Sequence, residues 1–192
     1  MPLKLSEFFG SVGRLAWAKA NGCPWVVRTT TAIVAQYGDL ELLQWALEHG
    51  CPWSLTMCMD AALRGDLEML KWVREQGCPW DKETCFSAAL GGHLQVLQWA
   101  REHGCPWHAM TCNFAAIHGD WEMLRWAAEH GCPCDEQTCH YLVRNLWQPR
   151  RMELLRWARE HGAPWDAATR DLAATNGYTD DLPLTVWIDR RR

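Results

Sequence analysis

No stretch of the chain approaches the ~18 consecutive apolar residues of a membrane span, and Met1–Phe9 holds no apolar run of signal-peptide length. The chain accordingly reads as intracellular and cytoplasmic, without a membrane partner. A basic excess is also lacking: 19 lysines and arginines face 23 aspartates and glutamates, for a net charge of -4. Nucleic-acid surfaces usually need a basic stripe, and the short clusters Arg150-Arg151 and Arg190-Arg191-Arg192 read as solvated positions instead. No glycine-rich phosphate loop is present, and no nucleophile, base and acid stand in a recognisable set. Neither catalysis nor a cofactor is expected.

What the sequence does hold is a repeated turn. Gly104-Cys105-Pro106-Trp107 recurs at Gly22-Cys23-Pro24-Trp25, Gly50-Cys51-Pro52-Trp53 and Gly77-Cys78-Pro79-Trp80, then as Gly131-Cys132-Pro133-Cys134 and Gly162-Ala163-Pro164-Trp165. The glycines are 28, 27, 27, 27 and 31 residues apart. Such a period marks a stacked repeat array, whose continuous core runs along its axis. Residues 81–107 show the unit. Asp81 is placed to N-cap a helix over 82–90, which carries Cys85, Ala88 and Ala89 at helical spacing. Gly91-Gly92 permits a tight reversal. A second helix over 93–103 carries Leu94, Val96, Leu97, Trp99 and Ala100 on one broad apolar side. Gly104 follows its C-terminus, and Pro106 prevents it from continuing. Helices of about ten residues are marginal alone in water, so neighbouring units must stabilise one another.

Laid over the chain, this pattern predicts one all-α domain over 1–192: a partial opening unit over 1–28, five helix-pair units over 29–168 and a degenerate C-terminal capping unit over 169–192. Phe8-Phe9-Gly10 stands for the alanine pair and glycine in the opening unit. Gly38-Asp39, Gly65-Asp66 and Gly119-Asp120 mark further reversals. The unit after Cys134 has four extra residues, within Arg144–Arg151.

Eleven of the fourteen tryptophans fall at two repeat positions, one in the second helix and one after the proline. That periodicity predicts a packed ladder in which each Trp→Ala change costs ~3–5 kcal/mol. A stacking platform for single strands would instead need exposed rings beside basic residues. The cysteines form two series, Cys51, Cys78, Cys105 and Cys132, and Cys58, Cys85, Cys112 and Cys139. Members of one series should stand about one helix spacing apart, ~8–10 Å, too far for the ~7 Å limit of a disulfide. They read as small buried residues in a reducing compartment. His49, His103, His130 and His161 each precede the glycine that ends a helix, where a histidine can bond the last carbonyls.

The tract Ala88-Ala89-Leu90-Gly91-Gly92-His93-Leu94-Gln95-Val96-Leu97, followed by Glu102-His103-Gly104-Cys105-Pro106-Trp107, resembles an ankyrin repeat. The resemblance covers about residues 8–177 and implies a helix-turn-helix solenoid whose first helices line a concave binding side. The 27-residue period is shorter than the usual 33, so the β-hairpin fingers are expected to be shortened or absent. The family's opening Thr-Pro-Leu-His is replaced by Glu83-Thr84-Cys85-Phe86. The Cys-Pro-Trp variant is similar to ankyrin arrays of some unicellular eukaryotes and large DNA viruses.

Framework positions are explained by packing, so positions that differ between copies are free to face a ligand. Two such positions read Ala32, Met59, Phe86, Asn113, His140 and Asp171, and Ile33, Asp60, Ser87, Phe114, Tyr141 and Leu172. Met59, Phe86, Asn113, Phe114, His140 and Tyr141 are the candidate protein-binding residues of a monomeric adaptor without catalytic activity. Two alternatives stand beside it. His130, Cys132, Cys134, Cys139 and His140 could make a zinc- or redox-responsive cluster. The chain could also be a fragment of a larger ankyrin-repeat protein whose activity lies elsewhere.

Overall fold

Glycine and aspartate divide the chain into short helices. The structure is a computed structural model that describes residues 11–22, 38–54, 56–144 and 149–175. All regular structure among these residues is helical. One compact unit, Met1–Pro106, holds α1 (Val12–Ala20), α2 (Leu40–Glu48), α3 (Met57–Arg64), α4 (Leu67–Glu75), α5 (Lys82–Leu90) and α6 (Leu94–Glu102). A second, Trp107–Arg192, holds α7 (Ala109–His118), α8 (Trp121–Glu129), α9 (Glu136–Arg144), α10 (Pro149–Glu160) and α11 (Ala167–Thr175). Phe8-Phe9-Gly10, Trp25, Ala32, Ile33, residues 145–148 of the insertion and the capping segment past Thr175 lie outside the described residues.

Local chemistry sets the helix ends. Asp39, Asp66 and Asp120 N-cap α2, α4 and α8, their carboxylates accepting from the amides of Leu42, Met69 and Met123 at 2.9, 2.9 and 3.0 Å. Asp81 caps α5 as expected, accepting from the Glu83 amide at 3.0 Å. In α6 the cap position is His93, which makes no cap bond. Its Nε2 instead lies 3.1 Å from the Leu63 carbonyl at the previous reversal. The second helices end alike: Gly77 and Gly104 take φ of 85° and 84°, and the next amides, of Cys78 and Cys105, bond the Val73 and Ala100 carbonyls at 3.0 and 2.9 Å. This six-to-one bond is the Schellman closure that a left-handed glycine permits. His49, His103, His130 and His161 each place Nδ1 2.8 Å from the carbonyl of the tryptophan four residues earlier. The expected role of these histidines is met.

Packing is sequential. In the first unit α1 packs on α2, α3 on α4 and α5, and α5 on α6; in the second α7 packs on α8 and α9, and α9 on α10 and α11. A first helix therefore touches both its own partner and the next first helix. That double burial explains its small residues: α5 buries Thr84, Cys85, Ser87, Ala88 and Ala89, and α3 buries Met57, Cys58, Ala61 and Ala62. The second helices bury a narrower stripe, Met69, Leu70 and Val73 in α4 and Val96, Leu97 and Ala100 in α6. The Gly77–Asp81 link between α4 and α5 contains no strand. No helix among the described residues is long and apolar enough to cross a membrane.

Candidate functional site

Each candidate binding residue sits on a first helix, but not all are at the surface. In the first unit Met59 on α3 and Phe86 on α5 are half-buried on two helices packed against each other. In the second, Phe114 on α7 and His140 and Tyr141 on α9 are half-buried as well. The Phe114 ring lies 6.1 Å from His118, and the Tyr141 and His140 rings meet edge to face at 6.1 Å.

Asn113 differs: its side chain is fully buried, so it cannot face a partner. Its Oδ1 accepts from the Thr138 hydroxyl at 2.6 Å, and its Nδ2 donates to Asp135 Oδ2 at 3.3 Å. Asn113 thus ties α7 to the start of α9. The short amide reaches inward because the buried Thr138 hydroxyl and the half-buried Asp135 carboxylate await it there. Thr84 occupies the matching threonine position in α5, and Met59, 25 residues before it as Asn113 is before Thr138, offers no oxygen; the Thr84 hydroxyl is buried without a partner. Asn113→Ala should therefore lower stability by about 1 kcal/mol, the worth of an ordinary internal hydrogen bond, because the Thr138 hydroxyl can turn to Asp135 Oδ1 at 3.5 Å. Urea denaturation of the variant and parent measures this, and partner binding should not change.

The tryptophans also differ from expectation. They do not form a buried ladder: Trp72, Trp80, Trp99, Trp107, Trp126, Trp157 and Trp165 are half-buried, and Trp17 and Trp53 are 47% and 41% exposed. On α4 the buried stripe is Met69, Leu70 and Val73; at about 100° per residue, Trp72 falls on its flank. The rings instead pair along the surface. Trp53 stacks on Trp72 at 6.3 Å, while Trp80 meets Trp99 and Trp107 meets Trp126 edge-on at 5.8 Å. Trp45, Trp99, Trp126 and Trp157 also stack on His49, His103, His130 and His161, at 4.3 Å for Trp99. The Arg74 guanidinium covers Trp80 at 4.2 Å. Lys71, Arg74, Glu75, Trp80, Trp99 and His103 line an open depression of about 380 Å³. Arg74 also bonds the Cys78 carbonyl, as Arg101 does that of Cys105 at 3.1 Å, so both guanidinia hold their turns.

The zinc alternative required five side chains to converge. His130 is engaged with Trp126, and the Cys132 thiol points to the His108 carbonyl at 3.5 Å. Among the described residues no group of three or more His, Cys, Asp or Glu side chains is arranged to hold a metal ion.

The nine described cysteines are all free thiols. They pair across the two series rather than along them. Cys58 lies against Cys78, Cys85 against Cys105, and Cys112 against Cys132. In each pair the first-helix thiol reaches the carbonyl of its partner, at 3.9, 3.9 and 4.0 Å. The constant 20-residue offset between series was the legible signal for this pairing. The neighbouring Cys58 holds the Cys78 thiol down at about 7, against burial, which pushes it up. The chain matches no protein-family model and no curated protein.

Proposed function

We propose that this chain is a non-catalytic protein-binding module of ankyrin-like helix pairs that contacts its partner through the first helices. One observation carries the reading. First helices pack side by side, α3 on α5 in one unit and α7 on α9 in the other. Residues that vary between copies, Met59 and Phe86 in the first unit and Phe114, His140 and Tyr141 in the second, stand half-buried on them. Large, partly apolar side chains that the framework does not require are the usual material of an interaction patch. The likeness of residues 83–107 to the ankyrin pattern supports the same face, because variable positions of such arrays gather on one binding side.

The test is affinity capture by the tagged protein under reducing conditions, with the double variant Phe86→Ala/Tyr141→Ala as control. A protein held by the parent and lost from the variant, at unchanged helix content by circular dichroism, is the expected result. Loss of helix content would make these core residues and end the assignment. A Trp80→Ala variant tests a second reading, favoured by the depression at Trp80 and Trp99, in which the second-helix indoles carry the contact. Capture lost from this variant and kept by the first would select it.

A further inference from the structure

Trp121 opens α8 where the matching residues of the other second helices are Leu40, Leu67, Leu94 and Met152. In other copies the indole after the proline meets the second-helix indole, as Trp80 meets Trp99 and Trp107 meets Trp126. Cys134 leaves that place without an indole, and Trp157 meets the Trp121 ring edge-on instead, at 5.9 Å. The half-buried Trp121 thereby stands in the wall of a cleft of about 470 Å³. Asp120, Glu122 and Glu153 line the same cleft, and no cationic side chain is among its described lining residues. Asp120 is engaged as the N-cap of α8. The two glutamates are exposed and differently placed. At the matching position of α4, Glu68 is paired with Lys71 at 2.8 Å. In α8 the corresponding cation, Arg125, turns instead to Glu129 at 2.7 Å. Glu122 lies in the first turn of α8, where a carboxylate suits the helix dipole; Glu153 is past the first turn of α10 and has no such role. Neither has an ion-pair partner among the described residues. Elsewhere the chain covers its indoles with its own guanidinia, Arg74 over Trp80 at 4.2 Å and Arg159 over Trp165 at 4.5 Å. Among the described residues Trp121 has no such cover.

We propose that this cleft binds an arginine side chain of a partner protein, its guanidinium stacked on Trp121 and hydrogen-bonded to Glu122 and Glu153. The face of an indole is negative and attracts a cation. A guanidinium is planar and weakly hydrated, so it lies on a ring at less cost than an ammonium. Its five donors form a fork that carboxylate oxygens can accept from on more than one side. Charge selects the same ligand: an anion is repelled by the glutamates, and a neutral apolar group would strip water from two carboxylates and give nothing back. The cleft holds a side chain and its flanking backbone, which fits an arginine carried on an extended segment or a loop tip. The site lies on second helices, so it does not rest on the first-helix reading given above.

The experiment titrates the isotope-labelled full chain with the blocked tripeptide acetyl-Gly-Arg-Gly-amide and follows the indole N–H signals by nuclear magnetic resonance. The Trp121 signal is the one missing from Trp121→Leu, a variant that restores the residue of the earlier copies. The expected result is a saturable shift of the Trp121 signal. The matching lysine peptide should bind more weakly, and the citrulline peptide, alike in shape but uncharged, should not bind. Affinity should fall roughly 2–5-fold in Trp121→Leu, read from the backbone amides around Gly119. It should fall at least as far in Glu122→Gln/Glu153→Gln, and in the parent it should weaken as salt is added. Both variants should keep their helix content by circular dichroism. A Trp121 signal that does not move would overturn the proposal. So would a citrulline peptide bound as tightly as the arginine peptide, or an affinity unchanged in Glu122→Gln/Glu153→Gln. Should Trp121→Leu not fold, the comparison of parent with Glu122→Gln/Glu153→Gln decides the matter.

Discussion

Replacing Leu97 by alanine is expected to lower the free energy of unfolding by about 2–5 kcal/mol, and replacing Trp99 to lower it by about 1–3 kcal/mol. By side-chain size alone the order would be the reverse. Leu97 is fully buried in α6, between Val96 and Ala100 on the same stripe. Its loss removes apolar surface from the interior and leaves a cavity beneath the α5 helix packed on it, which cannot collapse fully. Trp99 stands on the flank of that stripe, half in solvent, held by the Trp80 edge at 5.8 Å and by His103 at 4.3 Å. Its truncation leaves an open notch that water fills, so only the transferred area and the ring contacts are lost. Thermal and urea denaturation of the two variants checks the order. A larger cost for Trp99→Ala would make the indole a buried keystone and restore the packed-ladder expectation.

Two adjacent glycines should respond differently to the same substitution. Gly91→Ala is expected to cost about 1–3 kcal/mol. Its φ is ordinary, and alanine there would otherwise gain ~0.4–1 kcal/mol through the unfolded chain. A Cβ at Gly91, however, would run into the backbone carbonyl of Leu63. It would also meet the His93 ring, whose Nε2 is held at that carbonyl at 3.1 Å. Neither neighbour yields cheaply, so the clash outweighs the entropy gain. Gly92 has open space around it but a φ of 75°, so Gly92→Ala is strained by ~1 kcal/mol. Asparagine, which enters the left-handed region more readily, should recover part of that loss at Gly92 and none at Gly91. Denaturation midpoints of the four variants separate the two causes; equal rescue by asparagine at both sites would refute the close-approach reading of Gly91.

Much of the local design is legible in the chain. The Gly-Cys-Pro-Trp turns, the aspartates after Gly38, Gly65 and Gly119, and the histidines before the closing glycines each act on backbone within a few residues. Short-range chemistry of this kind depends on spacing, and spacing is written in the sequence. Helix existence, helix ends and the all-helical class follow from it. The apolar side of the second helix is legible only in outline. Counting Leu94, Val96, Leu97, Trp99 and Ala100 together treats the stripe as wide, while the neighbours cover Val96, Leu97 and Ala100 alone.

The rest is decided where residues far apart in sequence meet. Asn113 occupies the same repeat position as Met59 and Phe86, yet it turns inward because Thr138 and Asp135, more than twenty residues on, supply its hydrogen bonds. Cys112 and Cys132 are twenty residues apart, and only the packing of the second unit brings the Cys112 thiol to the Cys132 carbonyl at 4.0 Å. By itself the sequence determined the repeat, the helices and their caps, because these depend on neighbours along the chain. Tertiary structure alone decided which tryptophans reach solvent, which carbonyls the thiols meet and which variable residues are buried, because each depends on what a neighbouring helix covers.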